Sequence, residues 1–413
     1  MLPSDNALYM EVSIYRVRHR DLLTLCVLAL LCLGTVMVQS ASTTLSGEVK
    51  WGWSQRGTRN LAYAVGAFLA YLAVGHLDYA SLARRAAAPW RSPVLWLIAA
   101  AGASCVAVLV KGIGKEINGA RRWILLGPVQ IQPSELAKWS VVVFLAWWLA
   151  RPPVDLNKFF KGFIPTVMPI GVICLFVVIE DFGTAALIGL CTVMMLLAGR
   201  ARLRHLAVVL PPALGAAYWF VRHEPYRWTR MTAFLDPWAN PQGEGYHMVQ
   251  SLLSFSTGGI LGRGLGNGVQ KLGYLPEDTT DFIFAVICEE LGVFGAMLTV
   301  ALYLGILYVA WQAIRQKRDD FGRLLAFGIG SMLGLQAIIN MAVATVSVPT
   351  KGMSLPLVSA GGSGLIITCA ALGLLYSVMR FEHDGNPRVV AEDGEEDQHL
   401  AADVGPRPAV VPA

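Results

Sequence analysis

Asp281 stands in Pro276-Glu277-Asp278-Thr279-Thr280-Asp281-Phe282-Ile283-Phe284, where an acidic turn runs into a long apolar segment. Two readings compete. Thr280 or Asp281 can accept the free amides of a first helical turn, where the helix dipole also favours an acid. A carboxylate at that boundary can equally serve as a general base at a membrane surface, and one group can do both. Glu289 and Glu290 follow in the same segment. At ~1.5 Å and about 100° per residue, Glu289 lies about 12 Å further along the axis and about 80° around from Asp281, and Glu290 about 180° around. Acids at that depth cost roughly 2.5 to 3.5 kcal/mol on insertion scales, which favours structurally paired carboxylates over a proton relay.

The cations fall in two places. Gly119-Ala120-Arg121-Arg122-Trp123 leads into Gln132-Pro133-Ser134-Glu135-Leu136-Ala137-Lys138, and Lys351 stands in Pro349-Thr350-Lys351-Gly352. Pro133-Ser134-Glu135 reads as a helix start with an acid in its first turn. Arginines beside apolar segments read first as headgroup anchors. The sharper reading gives Arg122 and Lys138 to a diphosphate, which arginine's planar fork fits well, with Lys351 reaching a phosphate. Gly262-Arg263-Gly264-Leu265-Gly266-Asn267-Gly268 matches neither the Walker pattern nor the dinucleotide fingerprint and follows no strand, so nucleotide binding is rejected in favour of close-packed or flexible backbone. Ser359-Ala360-Gly361-Gly362-Ser363 reads as a small-residue helix contact.

The elements that carry these residues must be membrane helices. Of 413 residues, 55% are hydrophobic and 15% charged, with a mean hydropathy of +0.53, which excludes an ordinary soluble enzyme. The seven cysteines lie in apolar stretches without a CxxC pair, so neither a disulfide framework nor a zinc site is indicated. Apolar runs long enough to cross a bilayer lie at roughly 22–40, 60–77, 92–110, 134–150, 162–179, 182–199, 206–221, 281–312, 324–346 and 353–379. The expectation is therefore an all-α polytopic protein of ten transmembrane helices. Glu180, Asp181 and Gly183 split one apolar stretch into a tight hairpin, and a long connection over 222–280 joins the seventh and eighth spans.

Residues 1–380 hold 31 bases and 20 acids, whereas 381–413 hold eight acids against two arginines. The bases lie in short loops, a pattern for anionic lipid rather than nucleic acid. The positive-inside rule puts both termini in the cytoplasm, with basic segments at Arg16 to Arg20, Arg84 to Arg91, Arg151 to Lys161, Arg200 to Arg204 and Arg315 to Arg323. Two external loops, 111–133 and 222–280, are cation-rich against that rule, and an anionic substrate on the outer face supplies a reason. The glycine-rich part of 222–280 carries enough apolar residues to dip into the interface. Trp51, Trp53, Trp123, Trp228 and Trp238 fit an external aromatic belt. The chain thus divides into a cytoplasmic segment 1–20, a membrane domain 21–380 and an acidic disordered tail 381–413.

Taken together, the motifs resemble the shape, elongation, division and sporulation family of polytopic peptidoglycan polymerases, over roughly residues 22 to 380. The resemblance rests on Val36 to Ser42, Arg122-Trp123, Gln132 to Glu135, Asp181-Phe182-Gly183-Thr184, Phe234-Leu235-Asp236-Pro237-Trp238, Gly245-Tyr246, Gln250-Ser251, Gln270-Lys271-Leu272, Tyr274 to Glu277, Asp281 to Ala285 and Pro349 to Gly352. Tyr274 to Glu277 and Pro349 to Gly352 are nearer the division branch than the rod-shape branch. The sequence departs at Thr279, where the family usually has His, at Gly268, where Ser is usual, at Ala360, where Tyr is usual, and at Val346-Ser347, where a Gly-containing pair is common.

The resemblance implies an inverting glycosyltransferase that polymerises lipid II on the outer face of the inner membrane for septal synthesis, working with a class B penicillin-binding protein and other division proteins. Its essential acid maps onto Asp281, and its motifs make Arg122, Trp123, Glu135, Lys138, Gln270, Lys271, Glu277 and Lys351 candidate substrate-binding residues. A divalent cation such as Mg or Mn on the substrate diphosphate fits the chemistry, but no ligand cluster for it is readable. The alternatives are a transporter that flips the same lipid, using Asp181, Glu289 and Glu290, and an elongation-type polymerase. The absence of a convincing internal repeat weighs against the transporter.

Overall fold

The computed structural model describes residues 18–42, 56–83, 92–117, 120–127, 129–152, 154–350 and 352–381. In chain order the helices are α1 (His19–Ala41), α2 (Arg56–His76), α3 (Ala80–Ala83), α4 (Pro93–Leu109), α5 (Pro133–Leu149), α6 (Ile164–Glu180), α7 (Phe182–Ala198), α8 (Leu203–Arg222), α9 (Pro225–Ala233), α10 (Tyr246–Gly258), α11 (Ile283–Gln316), α12 (Asp320–Ala344) and α13 (Ser363–Arg380). Every apolar run read from the sequence overlaps one of them. Among the described residues five helical segments are long and apolar enough to cross a bilayer: His19–Ala41, Phe159–Glu180, Ile283–Gln316, Asp320–Ala344 and Ser363–Arg380. Leu25, Leu69, Trp96, Leu175, Leu214, Phe294 and Leu304 are exposed on the outer helical faces, which in a mostly helical multi-pass protein is where lipid replaces water.

The centre is built on α5. It is buried from Pro133 to Trp147 except for half-buried Leu136 and packs against α4, α7 and α12, so even its polar residues Glu135 and Lys138 are enclosed. α11 runs through the other half against α1, α10 and α12, and α13 packs along α2. The hairpin expected at Glu180 and Asp181 is present. α6 ends at Glu180, and Asp181 caps α7 by accepting from the Thr184 amide at 3.0 Å and the Thr184 hydroxyl at 2.7 Å.

Three features differ from the sequence reading. The loop 111–133 forms an antiparallel meander, β1 (Gly114–Ile117), β2 (Ala120–Leu126) and β3 (Val129–Ile131), in which Ile124 faces Gly114 on one side and Ile131 on the other. The run Trp123-Ile124-Leu125-Leu126 has strand-favouring residues, and Gly127 turns the chain at φ 63°. The long connection 222–280 holds α9 and α10 rather than loop alone. The third is a break in α11 at Gly292, with φ 62° and ψ −155°, where the backbone of Gly262 seats directly against it. The bends mate because neither residue has a Cβ. The amides of Arg263 and Gly264 donate to the carbonyls of Glu289 and Glu290 at 3.0 and 2.9 Å, which replaces helical bonds lost at the break.

The tail, the first 17 residues, Lys351 and the loops holding Trp51, Trp53, Arg84, Arg85 and Arg91 lie outside the described residues.

Candidate functional site

Residues 275–282 form a tight polypeptide bend before α11. Leu275 is buried and anchors it, and Glu277, at φ 57°, turns the chain so that its carbonyl accepts from the amides of Thr280 and Phe282 at 3.1 and 3.2 Å. Three consecutive carbonyls beyond the bend are then taken by one neighbouring surface. Thr279 O accepts from the Ala360 amide at 2.9 Å, Thr280 O from the Ser359 hydroxyl at 2.6 Å, and Asp281 O from the Asn340 side-chain amide at 2.9 Å. The backbone that carries Asp281 is therefore fixed on one side by α12 and by the segment before α13.

The Asp281 side chain is left out of this network. Phe282, not Thr280 or Asp281, is the N-cap of α11, and no side chain caps it. The capping reading is thus corrected: the bend supplies the turn, and the Asp281 carboxylate, half-buried, accepts no hydrogen bond among the described residues. Burial raises this carboxyl to about 7, helped by the Glu277 and Asp181 carboxylates and opposed by Arg122 and Arg230. A carboxylate near neutrality with unoccupied lone pairs is what a general base needs.

Its surroundings come from several elements. Arg122, on β2, donates Nε to Glu180 O at 2.6 Å, and with Arg121, Ser134, Glu180 and Asp181 it lines a narrow cleft between α4, α5 and α6. Trp123 is half-buried next to it. Glu277 is exposed and accepts from the Thr280 hydroxyl at 2.9 Å. On α10, His247 stacks on Phe282 with ring centroids 6.0 Å apart, and its Nδ1 is buried without a hydrogen-bond partner among the described residues. Burial and Arg230 lower the imidazole pKa against the opposing pull of Glu277 and Glu244. Asn340, Arg230 and His247 do not stand out in the sequence, and Ser359 does so only within a small-residue helix contact. A signal for Asn340 does exist, since Gln336 and Asn340 are four residues apart inside an apolar span and so share a face.

The other candidates lie beneath this surface. Lys138 is fully buried, 2.8 Å from Glu135 Oε2 and 2.6 Å from Gln336 Oε1, and Gln336 donates onward to Ser354 O at 2.9 Å. Lys271 is buried 2.7 Å from Glu290 and 2.9 Å from the Ser40 hydroxyl, while Glu290 also accepts from the Gly266 amide at 3.0 Å. Glu289 accepts from the Val269 amide at 2.8 Å and the Gln270 amide at 3.3 Å. Both glutamates are thus structural ties for the glycine-rich segment, as their depth suggested. Gln270 is buried, and its Oε1 has no hydrogen-bond partner among the described residues. Among the described residues no three His, Cys, Asp or Glu side chains are grouped to hold a metal.

Comparison with known proteins identifies the family of the helical body. The family model described as a cell cycle protein, FtsW/RodA/SpoVE, matches residues 20–384. The chain is similar to a protein named probable peptidoglycan glycosyltransferase FtsW from Geobacter sulfurreducens, 36% identical over 87% of this chain and 95% of the relative. A protein of the same name from Thioalkalivibrio sulfidiphilus is 40% identical over 88% and 90%. Among solved structures it is similar to a chain from a study of structural coordination of polymerization and crosslinking by a peptidoglycan synthase complex, with TM-score 0.68 and 27% identity over 87% of this chain and 96% of that one. The rod shape determining protein RodA of Thermus thermophilus follows at TM-score 0.61 and 26% identity over 87% and 95%. With the family model covering its whole helical body, the chain belongs to the FtsW/RodA/SpoVE family of cell cycle proteins.

Proposed function

We propose that this chain is a peptidoglycan glycosyltransferase of septal wall synthesis that polymerises lipid II on the outer face of the inner membrane. The observation that carries the reading is Asp281: three bonded carbonyls fix its backbone, its carboxylate has no hydrogen-bond partner among the described residues, and burial tunes it to about 7. The names of its relatives supply the reaction class.

In that reaction Asp281 takes the proton from the 4-hydroxyl of the acceptor sugar as its oxygen attacks the anomeric carbon of the donor. The new glycosidic C–O bond forms as the bond to the diphosphate breaks, the electron pair leaves on the diphosphate, and a single displacement inverts the centre. Arg122 offsets the charge that develops on the leaving group. Trp123 and Glu277 contact the substrate, Lys351 adds a phosphate cation, and Gln270, buried next to Lys271, acts from beneath. Lys138 and Lys271 act from beneath: with most of their N–H capacity spent on buried partners, they hold Glu135, Gln336 and Glu290 in place rather than touching the diphosphate. Ten crossings with both termini in the cytoplasm put 222–280 outside, beside the acceptor strand. A partner that crosslinks the product, of the class B penicillin-binding type, is supported by the likeness to a synthase-complex chain.

Reconstituting the purified protein in vesicles with labelled lipid II and no membrane gradient tests the reading. Glycan polymer is the expected product. Transbilayer movement of lipid II without polymer would replace the enzyme with a transporter.

A further inference from the structure

Two arginines from distant parts of the chain meet at the end of α6. Arg122 donates Nε to the carbonyl of Glu180 at 2.6 Å, and Arg227, on α9, donates Nη2 to the carbonyl of Ile179 at 3.3 Å. These are consecutive carbonyls in the last turn of a helix, where they lack intrahelical donors and carry the negative end of the dipole. Arg227 is further pinned by the Phe220 ring, whose centroid lies 3.9 Å from its guanidinium carbon. Both planes are thus held before any ligand arrives.

The positive charge at this point is not neutralised by a contact. The Glu180 carboxylate is spent on the Arg121 amide at 2.7 Å, and Arg121 itself reaches Glu116 at 3.5 Å. Neither Arg122 nor Arg227 makes an ion pair among the described residues, and each commits one of five N–H donors to the helix end. Burial, together with the like charge of Arg122, draws Arg227 below the usual arginine range, while Glu224 and Glu180 pull it back. Two fixed forks at one helix end, each with free N–H donors and neither in ion-pair contact with the nearby Glu180 and Glu224 carboxylates among the described residues, are matched by an anion with two phosphoryl groups, each able to take one fork.

We infer that Arg122 and Arg227 form one clamp for the diphosphate of the lipid-linked donor, with α9 supplying the prong opposite β2. The inference rests on the glycosyltransferase reading and extends it to a residue of the 222–280 connection. It accounts for the helical order of α9: a prong carried on a helix that packs against α8 and reaches α6 through Arg227 keeps its distance from Arg122. The clamp also discriminates. A monophosphate fills one fork and leaves the other charge unpaired, so a diphosphate gains from both.

The test uses the full chain in nanodiscs with two probes, farnesyl diphosphate and farnesyl monophosphate, as competitors of lipid II polymerisation. Wild type should prefer the diphosphate by about tenfold or more, which corresponds to about 1.4 kcal/mol. Arg227→Gln should reduce that preference to within about threefold and raise KM for lipid II; Arg227→Lys, retaining a point charge but no fork, should fall between. An arginine that merely braces α9 would weaken both probes equally and leave the ratio unchanged, which overturns the clamp. So does a variant whose only loss is affinity for phosphatidylglycerol vesicles, the behaviour of a headgroup anchor. If Arg227→Gln does not fold, the Arg227→Lys ratio decides. A wild type that polymerises lipid II but keeps its preference in both variants sinks the clamp alone; a wild type that makes no polymer sinks the underlying reading.

Discussion

The Asn340 side-chain amide donates to the backbone carbonyl of Asp281 at 2.9 Å and to that of Met353 at 2.7 Å, tying the bend before α11 to the segment before α13 through one side chain in the middle of the fold. Two stretches separated by some seventy positions are thereby held in register under the carboxylate.

Asn340→Ala would leave both carbonyls without their donor, at a cost of about 1–3 kcal/mol for a buried polar group. Much of that should appear as misplacement of Asp281. We expect kcat to fall about tenfold or more while lipid II binding changes little, and Asn340→Asp, similar in shape but without the donor, to behave alike. Steady-state polymerisation rates with wild-type kcat in both variants would remove Asn340 from the positioning machinery.

The pH profile follows from the Asp281 carboxyl lying near 7. A general base works ionised, so the rate should rise about tenfold per pH unit well below 7 and level off above it. The stability sign is opposite. Between the ordinary carboxylate range and 7 the folded state binds the extra proton, so ionising Asp281 costs stability as pH rises through this window. Polymerisation measured from pH 5.5 to 8.5 should show the acidic limb; a flat profile contradicts the assignment.

Lys138 and Glu135 form a buried pair, and removing either charge strands the other. Lys138→Met should cost roughly 3–5 kcal/mol, and Glu135→Gln with Lys138→Met together should recover much of it, because a neutral pair need not be charged in the interior. Thermal unfolding in detergent reads this. If Lys138→Met instead unfolds like wild type and loses only lipid II affinity, Lys138 touches the diphosphate directly.

Gly292→Ala should destabilise the protein by more than about 1 kcal/mol, since φ is 62° and the new methyl would run into the Gly262 and Ile260 backbone. The glycine-rich segment should come away from α11 with it, increasing amide exchange at Arg263 and Gly264. Unaltered melting and exchange would show that the break in α11 has another cause.

Much of this arrangement was legible in the sequence because hydrophobic length speaks directly in membranes. The runs at 22–40 and 324–346 map onto α1 and α12, and Glu180-Asp181 marks the hairpin because a polar pair in an apolar stretch needs a turn. Asp281 was legible as an acid at a helix boundary, and the buried pairing of Glu289 and Glu290 followed from their depth. What could not be read were relations set by distant packing. The direction of the Lys138 side chain depends on Gln336, almost two hundred positions away, and the Gly292 break depends on a glycine thirty positions upstream that the helical pattern does not anticipate. The cap expected at Thr280 or Asp281 failed because α11 starts beyond them, with Phe282 as its N-cap, and the Thr280 hydroxyl turns back to Glu277. The strands at 114–131 are too short and too rich in cations to stand out from a loop.

The central claim is that Asp281 takes the acceptor proton, and Asp281→Asn tests it most directly because the amide keeps the size of the carboxylate and cannot accept a proton. Purified variant and wild type would be compared in vesicles for lipid II binding, thermal unfolding and glycan polymer formed. The account predicts binding within about twofold of wild type, unfolding at the same or a higher temperature since a buried charge is gone, and no detectable polymer. Polymer formed by Asp281→Asn at the wild-type rate would contradict it.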